Sequence, residues 1–157
     1  MVAIMMLVTP ACDWLKKKEE APQENPVVRI LDLNTAEVYN DAHIPGAIHL
    51  ELDDIDEVTK HWNVKSPLIV YCSDYTCRTS HIAAKMLRTR FEDVSVYMGG
   101  INEWYKLSKE NSALYPIEGD AKLAFLEKNV EKVLPKEEDG KVISAQEVAH
   151  RLGEIHK

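Results

Sequence analysis

The chain has 157 residues, 19 Lys+Arg against 26 Asp+Glu for a net charge of −7, an apolar fraction of 45% and only three cysteines. That length fits one domain with extensions, and a domain of this size buries about 68–70% of the surface its unfolded chain exposes, so no disulfide scaffold is needed. The acidic balance argues against a nucleic-acid surface and against charge-driven recruitment to anionic lipid, and three scattered cysteines are too few for a zinc site.

Residues 1–26 read as a leader and tether. Met1 to Val8 are all apolar, followed by Thr9-Pro10-Ala11-Cys12. The run is too short to span a bilayer, which takes about 20 apolar residues, but long enough for the core of a secretory signal. Ala11-Cys12 resembles the processing site of bacterial lipoproteins, with Cys12 as the lipid attachment point and the polar, proline-bearing stretch to Pro26 as the tether. That reading implies a periplasmic or outer-surface protein whose only membrane contact is a lipid anchor; a cytoplasmic location is the alternative. The competing reading makes Thr9 an N-cap, Pro10 the first helical residue, and Trp14-Leu15 the buried face of a helix reaching Lys18.

A domain over 27–119 follows. Val27 to Asp32 reads as a buried strand ending on an acidic residue, and Thr35 caps a short helix to Asn40. Pro45-Gly46 turns the chain into another short strand, and Asp53 to His61 is mildly helical. Leu68 to Tyr71 is a strand, Thr79 to Thr89 a helix with Ile82, Ala83, Met86 and Leu87 on one face, and Val94 to Tyr97 a further strand closed by Gly99-Gly100. Strands alternating with helices predict an α/β domain around a parallel sheet. The remainder, 120–157, reads as a helical C-terminal extension. Leu123, Leu126, Val130 and Val133 give helical spacing over Ala121–Leu134, Pro135 to Lys141 is a charged loop, and Ile143 to Leu152 is a second helix with Ser144 and Glu147 as a capping box.

The sharpest local feature is Tyr71-Cys72-Ser73-Asp74-Tyr75-Thr76-Cys77-Arg78. A cysteine at the carboxyl end of a buried strand, followed by a polar loop and a helix, sits where open α/β sheets bind ligands. Loop N–H groups and the helix N-terminus form an anion nest, and a thiol held there beside Arg78 is expected to ionise more readily. Ser73, Asp74, Tyr75, Thr76 and Arg78 are therefore the candidate substrate-binding loop, with Cys72 the nucleophile. Cys77 is either a resolving thiol that closes a disulfide on Cys72 or a small residue packed at the helix start.

Several motifs together resemble the rhodanese family: Ile30-Leu31-Asp32, Glu37 followed by His43-Ile44-Pro45-Gly46-Ala47, Val70-Tyr71-Cys72, Ala83-Ala84, and Gly99-Gly100 with Trp104. The resemblance covers roughly Val27 to Glu118. It implies a sulfurtransferase in which Cys72 takes a sulfane sulfur as a persulfide and passes it to a thiol or other acceptor. The implied partners are a small sulfur-containing substrate or a protein thiol, with no cofactor and no metal. The sequence departs from the family in Asn34, where the first motif usually has Arg, and in a longer, glycine-free loop carrying Asp74 and Cys77. A carboxylate there would repel thiosulfate, so polysulfide, persulfide or protein-thiol substrates fit better.

Two rival readings rest on the same residues. Cys72, five residues and Arg78 match the spacing of the cysteine phosphatases and arsenate reductases that share the rhodanese fold. An inactive rhodanese-like binding module, with the C-terminal helices as its interaction surface, is the other. His43, His49 and His81 read as structural or solvent-facing, and Trp62, Trp104 and Tyr105 as core or rim aromatics. The C-terminal helix resembles the helix that usually opens rhodanese domains, which predicts that it packs near the Val27 strand.

Overall fold

The computed structural model describes residues 26–155. Cys12, the lipoprotein-like leader and the alternative helix to Lys18 lie outside the described residues. Among the described residues no helix is long and apolar enough to cross a membrane.

Four short parallel strands form the sheet: β1 (Arg29–Asp32), β2 (Ile48–His49), β3 (Leu68–Tyr71) and β4 (Val94–Tyr97). Their spatial order is β2-β1-β3-β4. Every residue of β3 and β4 is buried, as a parallel sheet covered on both faces requires. A parallel bridge between Val96 and Val142 adds the C-terminal segment beside β4, with Val96 N–H donating to Lys141 and Ile143 N–H donating to Val96.

Helices cover both faces. On one side lie α1 (Ala36–Asp41), α4 (Gly100–Glu110) and α5 (Ala145–Ile155), around a core that includes Ile30, Ile69, Tyr97 and Trp104. On the other lie α2 (Ile55–Thr59) and α3 (Thr79–Leu87), packed with Leu31, Val70, Cys72 and Val96. Thr35 caps α1 by accepting from the Val38 N–H at 3.4 Å. Ser144 begins α5 likewise, accepting from the Glu147 N–H at 3.2 Å, while the Glu147 carboxylate is taken by Arg151. Val148, Ala149 and Leu152 of α5 belong to the same core cluster as Ile30 of β1, on the face of the sheet that α1 and α4 cover.

Two sequence expectations are corrected. Ala121–Leu134 is not a helix: it holds one 3-10 turn, Ala124–Glu127, in otherwise irregular chain. Groups from elsewhere capture its backbone. The Asn102 amide donates to the carbonyls of Phe125, Leu126 and Lys128, and the Asp41 carboxylate accepts from the N–H groups of Lys122 and Leu123. The Asn102 contacts occupy carbonyls that an internal helical ladder would use. On α3, Ile82 is 50% exposed; the buried stripe is Ser80, Ala83, Ala84 and Leu87, with His81 beside it. Helix α4 was hidden at sequence level by the glycine pair at its start.

Asn34 replaces an ion pair with neutral donors. Asp32, fully buried at the end of β1, accepts from Tyr71 O–H at 2.5 Å, Asn34 N–H at 2.8 Å and the Asn34 amide at 2.7 Å. Burial pushes its carboxyl up, while the bonds from Tyr71 and Asn34 pull it back. Tyr39 stacks between His43 and His49, at centroid distances of 4.1 and 5.0 Å, so those histidines are structural. Trp104 is fully buried, donates to the Pro116 carbonyl, and meets Tyr97 and Tyr115 edge-on.

Leu126, fully buried in the cluster with Ile101 and Trp104, is the apolar anchor of the irregular segment. Leu126→Ala is expected to lower stability by about 3 kcal/mol, the usual scale for a buried leucine truncation. Urea denaturation measures it, and a change under about 1 kcal/mol would contradict this placement.

Candidate functional site

Cys72 follows the last residue of β3 and is 2% exposed. The loop Ser73–Arg78 then carries the chain to α3, which begins at Thr79. What holds the loop is the N-terminus of α4. The first amides of any helix lack internal acceptors. Here Ile101 N–H donates to the Cys72 carbonyl at 3.0 Å and Asn102 N–H to the Ser73 carbonyl at 2.9 Å. This approach depends on Gly100, whose φ is +60° and whose position would put a Cβ 2.3 Å from the Cys72 carbonyl oxygen.

The loop, which has no glycine, is shaped by Asp74. Its carboxylate accepts from the Thr76 N–H at 2.8 Å and the Thr76 hydroxyl at 2.7 Å, and its carbonyl accepts from the Cys77 N–H at 3.1 Å. The Asp74 carboxylate, expected to repel anions at the entrance, is thus tied into an Asx turn within the loop. The amides of Ser73, Asp74 and Tyr75 donate to no described residue.

Cys72 and Cys77 are joined by a disulfide, with their Cα atoms 6.4 Å apart. Ser80 Oγ, buried in the first turn of α3, lies 3.3 Å from Cys72 Sγ, where its hydroxyl donates to the sulfur. Sequence reasoning missed Ser80: serine in a first helical turn reads as ordinary, and only its aim at the sulfur distinguishes it.

Two carboxylates flank the loop. On one side Glu103 of α4 accepts from Tyr75 O–H at 2.7 Å and Tyr97 O–H at 2.9 Å, and Lys132 lies 4.0 Å from it. Burial and the bond to Glu103 push the Tyr75 phenol well up. These residues border a cleft of about 200 Å³ that also includes Met98, Val133 and Val142. On the other side lies Asp139, which sits in a short 3-10 turn (Glu137–Asp139) and is 3% exposed. Arg78, expected to serve the thiolate, extends its guanidinium to Asp139 at 3.3 Å. His81 Nδ1 is 3.0 Å from the same oxygen but lacks hydrogen-bond alignment. Burial pushes the His81 imidazole down, Arg78 and Arg88 reinforce this, and Asp139 opposes it. The Lys136 N–H, with His81 and Arg78, holds the Asp139 carboxyl below its usual range against the effect of burial. The 61-residue separation of Arg78 and Asp139 left no signal in the sequence.

Among the described residues no group of His, Cys, Asp and Glu could hold a metal ion. Ser73, Asp74, Tyr75, Thr76, Cys77 and Arg78 form one loop around Cys72, but Arg78 and Tyr75 turn to opposite flanks.

Comparison with known proteins agrees with this architecture. A family model described as rhodanese-like domain matches residues 12–107, more than half of the chain. YrkF of Bacillus subtilis (strain 168), named as a candidate sulfur carrier protein, is 28% identical over 78 residues, covering 49% of this chain and 41% of YrkF. The chain therefore spans less than half the length of that relative. The thiosulfate sulfurtransferase GlpE of Coxiella burnetii (strain RSA 331) is 25% identical over 75 residues, covering 48% of this chain and 69% of GlpE. Among solved structures, the rhodanese-like domain of Alr3790 from Anabaena sp. has a TM-score of 0.50 at 28% identity, over 60% of this chain and 89% of that one. BH2092 of Bacillus halodurans has a TM-score of 0.50 at 31% identity, over 60% and 65%.

Removing the Ser80 hydroxyl withdraws a donor from the sulfur. A hydrogen bond to an ionised group is worth about 1.5–3 kcal/mol. Ser80→Ala is therefore expected to slow alkylation of Cys72 in the reduced protein by about tenfold at neutral pH. Timed iodoacetamide labelling measures it, and an unchanged rate would mean that the contact does not act on the thiolate.

Proposed function

The chain belongs to the rhodanese-like domain family, and from that premise we propose that it is a sulfurtransferase: Cys72 takes sulfane sulfur as a persulfide and delivers it to a thiol acceptor. The observation that carries this reading is the placement of Cys72. It stands at the carboxyl end of a central strand, with its own carbonyl docked on α4 and the Ser80 hydroxyl on its sulfur. Loop amides of Ser73, Asp74 and Tyr75 that bond no other described residue are donors for a terminal persulfide sulfur.

The substrate class follows from what borders the loop. With Cys72 2% exposed and Glu103 and Asp139 on either flank, a persulfide carried on an organic or protein thiol, whose reacting end is not a compact dianion, suits the site better than thiosulfate. The oxyanion chemistry of a cysteine phosphatase needs an arginine aimed at the reacting group. Arg78, which has the right spacing, is paired instead with Asp139. Sulfur transfer is therefore the stronger reading.

With glutathione persulfide as donor and dithiothreitol as thiol acceptor, the protein is expected to accelerate sulfide release, and Cys72→Ser to return it to the uncatalysed background. A Cys72→Ser variant with undiminished turnover would overturn the proposal. Hydrolysis of p-nitrophenyl phosphate that depends on Cys72, without sulfide release, would replace it with phosphoryl chemistry.

A further inference from the structure

Cys77 adds to the sulfurtransferase site a group that simple sulfur transfer does not use. We infer that the Cys72–Cys77 pair makes the protein a sulfane-sulfur reductase: Cys77 resolves the Cys72 persulfide internally, releases hydrosulfide, and leaves a disulfide that a dithiol protein reduces. This inference rests on the sulfurtransferase reading for its first step.

Three observations carry it. The Cα atoms of Cys72 and Cys77 are 6.4 Å apart, inside the usual disulfide span of roughly 4.4–6.8 Å, and the two sulfurs are bonded. The loop is built to bring them together. Asp74 closes a turn on Thr76 with its carboxylate and on the Cys77 N–H with its carbonyl, so Cys77 folds back towards the strand end. Finally, the two sulfurs differ in access: Cys72 is 2% exposed, whereas Cys77 is only half-buried. An external acceptor has to arrive from solution, whereas Cys77 is already in place beside Cys72. Positioning within one loop gives an intramolecular thiol a large advantage over one arriving from solution.

The steps balance. The Cys72 thiolate attacks the outer sulfur of a persulfide R–S–SH, expelling R–S⁻ and forming Cys72–S–SH. The Cys77 thiolate then attacks Cys72 Sγ, breaking the bond to the outer sulfur, which leaves as HS⁻. The sulfane sulfur has gained two electrons, and two cysteine thiolates have lost them to form the disulfide. A dithiol protein returns those electrons by attacking the accessible Cys77 sulfur, with Cys72 leaving as thiolate, and its second thiol then closes its own disulfide and frees Cys77. The partner implied is therefore a reducing dithiol protein, and the pair must be reduced before Cys72 can load.

A single-turnover experiment tests this. The reduced full chain, freed of reductant, receives one equivalent of glutathione persulfide. Released sulfide is measured, and peptide mass spectrometry reads the tryptic peptide 66–78, which carries both cysteines and excludes Cys12. Wild type is expected to release close to one equivalent of sulfide and to lose two hydrogens from that peptide. Cys77→Ser, with Cys77→Ala as a second variant, should release none and retain one added sulfur on Cys72. If wild type also retains the added sulfur and releases no sulfide, the reductase inference falls while sulfur transfer stands. If no form takes up sulfur, the transferase reading falls and the inference with it.

Discussion

The site depends on one backbone junction: the carbonyls of Cys72 and Ser73 docked on the first amides of α4. A helix start has donors without acceptors, and a strand end turning into a glycine-free loop has carbonyls leaving their ladder; each satisfies the other. The junction closes only because Gly100 has no side chain, since any Cβ would overlap the Cys72 carbonyl. With the carbonyl side of the loop fixed in this way, Asp74 can shape the remainder and Cys77 can fold onto Cys72. The glycine pair that ends the sheet motif therefore helps to shape the Cys72 loop, although it lies far along the chain from Cys72.

Three carboxylates lie in or beside the core, and each has a different set of partners. Asp32 is satisfied by neutral donors, Tyr71 and Asn34. Glu103 is satisfied mainly by two tyrosines, and Asp139 by backbone and cationic groups. Unpartnered buried charge would be strongly destabilising, so these sets hold the elements that carry them in register. Asp139 and Lys132 come from the irregular segment before α5, which passes on both sides of the Cys72 loop. The C-terminal extension is thus part of the site's frame, and α5 completes the core beneath it.

The local grammar of the chain was legible. The strands Leu68–Tyr71 and Val94–Tyr97, the Thr35 cap and the Ser144 cap follow from apolar runs and short-range side-chain chemistry, and the structure has all four. Cys72 and Cys77 stand out because their residue types are reactive and both lie in the one loop between β3 and α3. The failures share a physical cause. Ala121–Leu134 had helical spacing, but Asn102, distant in sequence, took its carbonyls. Arg78 pairs with Asp139, 61 residues away, a contact that leaves no local signal. Ser80 has no unusual neighbour in sequence and acts only through the fold. Single-sequence reading recovers what neighbours decide; it cannot see a partner brought in by the sheet.

The position of Cys72 depends on a junction made elsewhere in the chain, and Gly100→Ala tests that dependence most directly. The measurement is the rate at which reduced protein gains one sulfur on Cys72 from glutathione persulfide, with circular dichroism confirming that the sheet and helices remain. Misplacing a reacting atom by about 1 Å typically slows a reaction about 100-fold. A loss of that order in a folded Gly100→Ala protein is the predicted result. Loading at the wild-type rate would contradict the claim that α4 positions the sulfur.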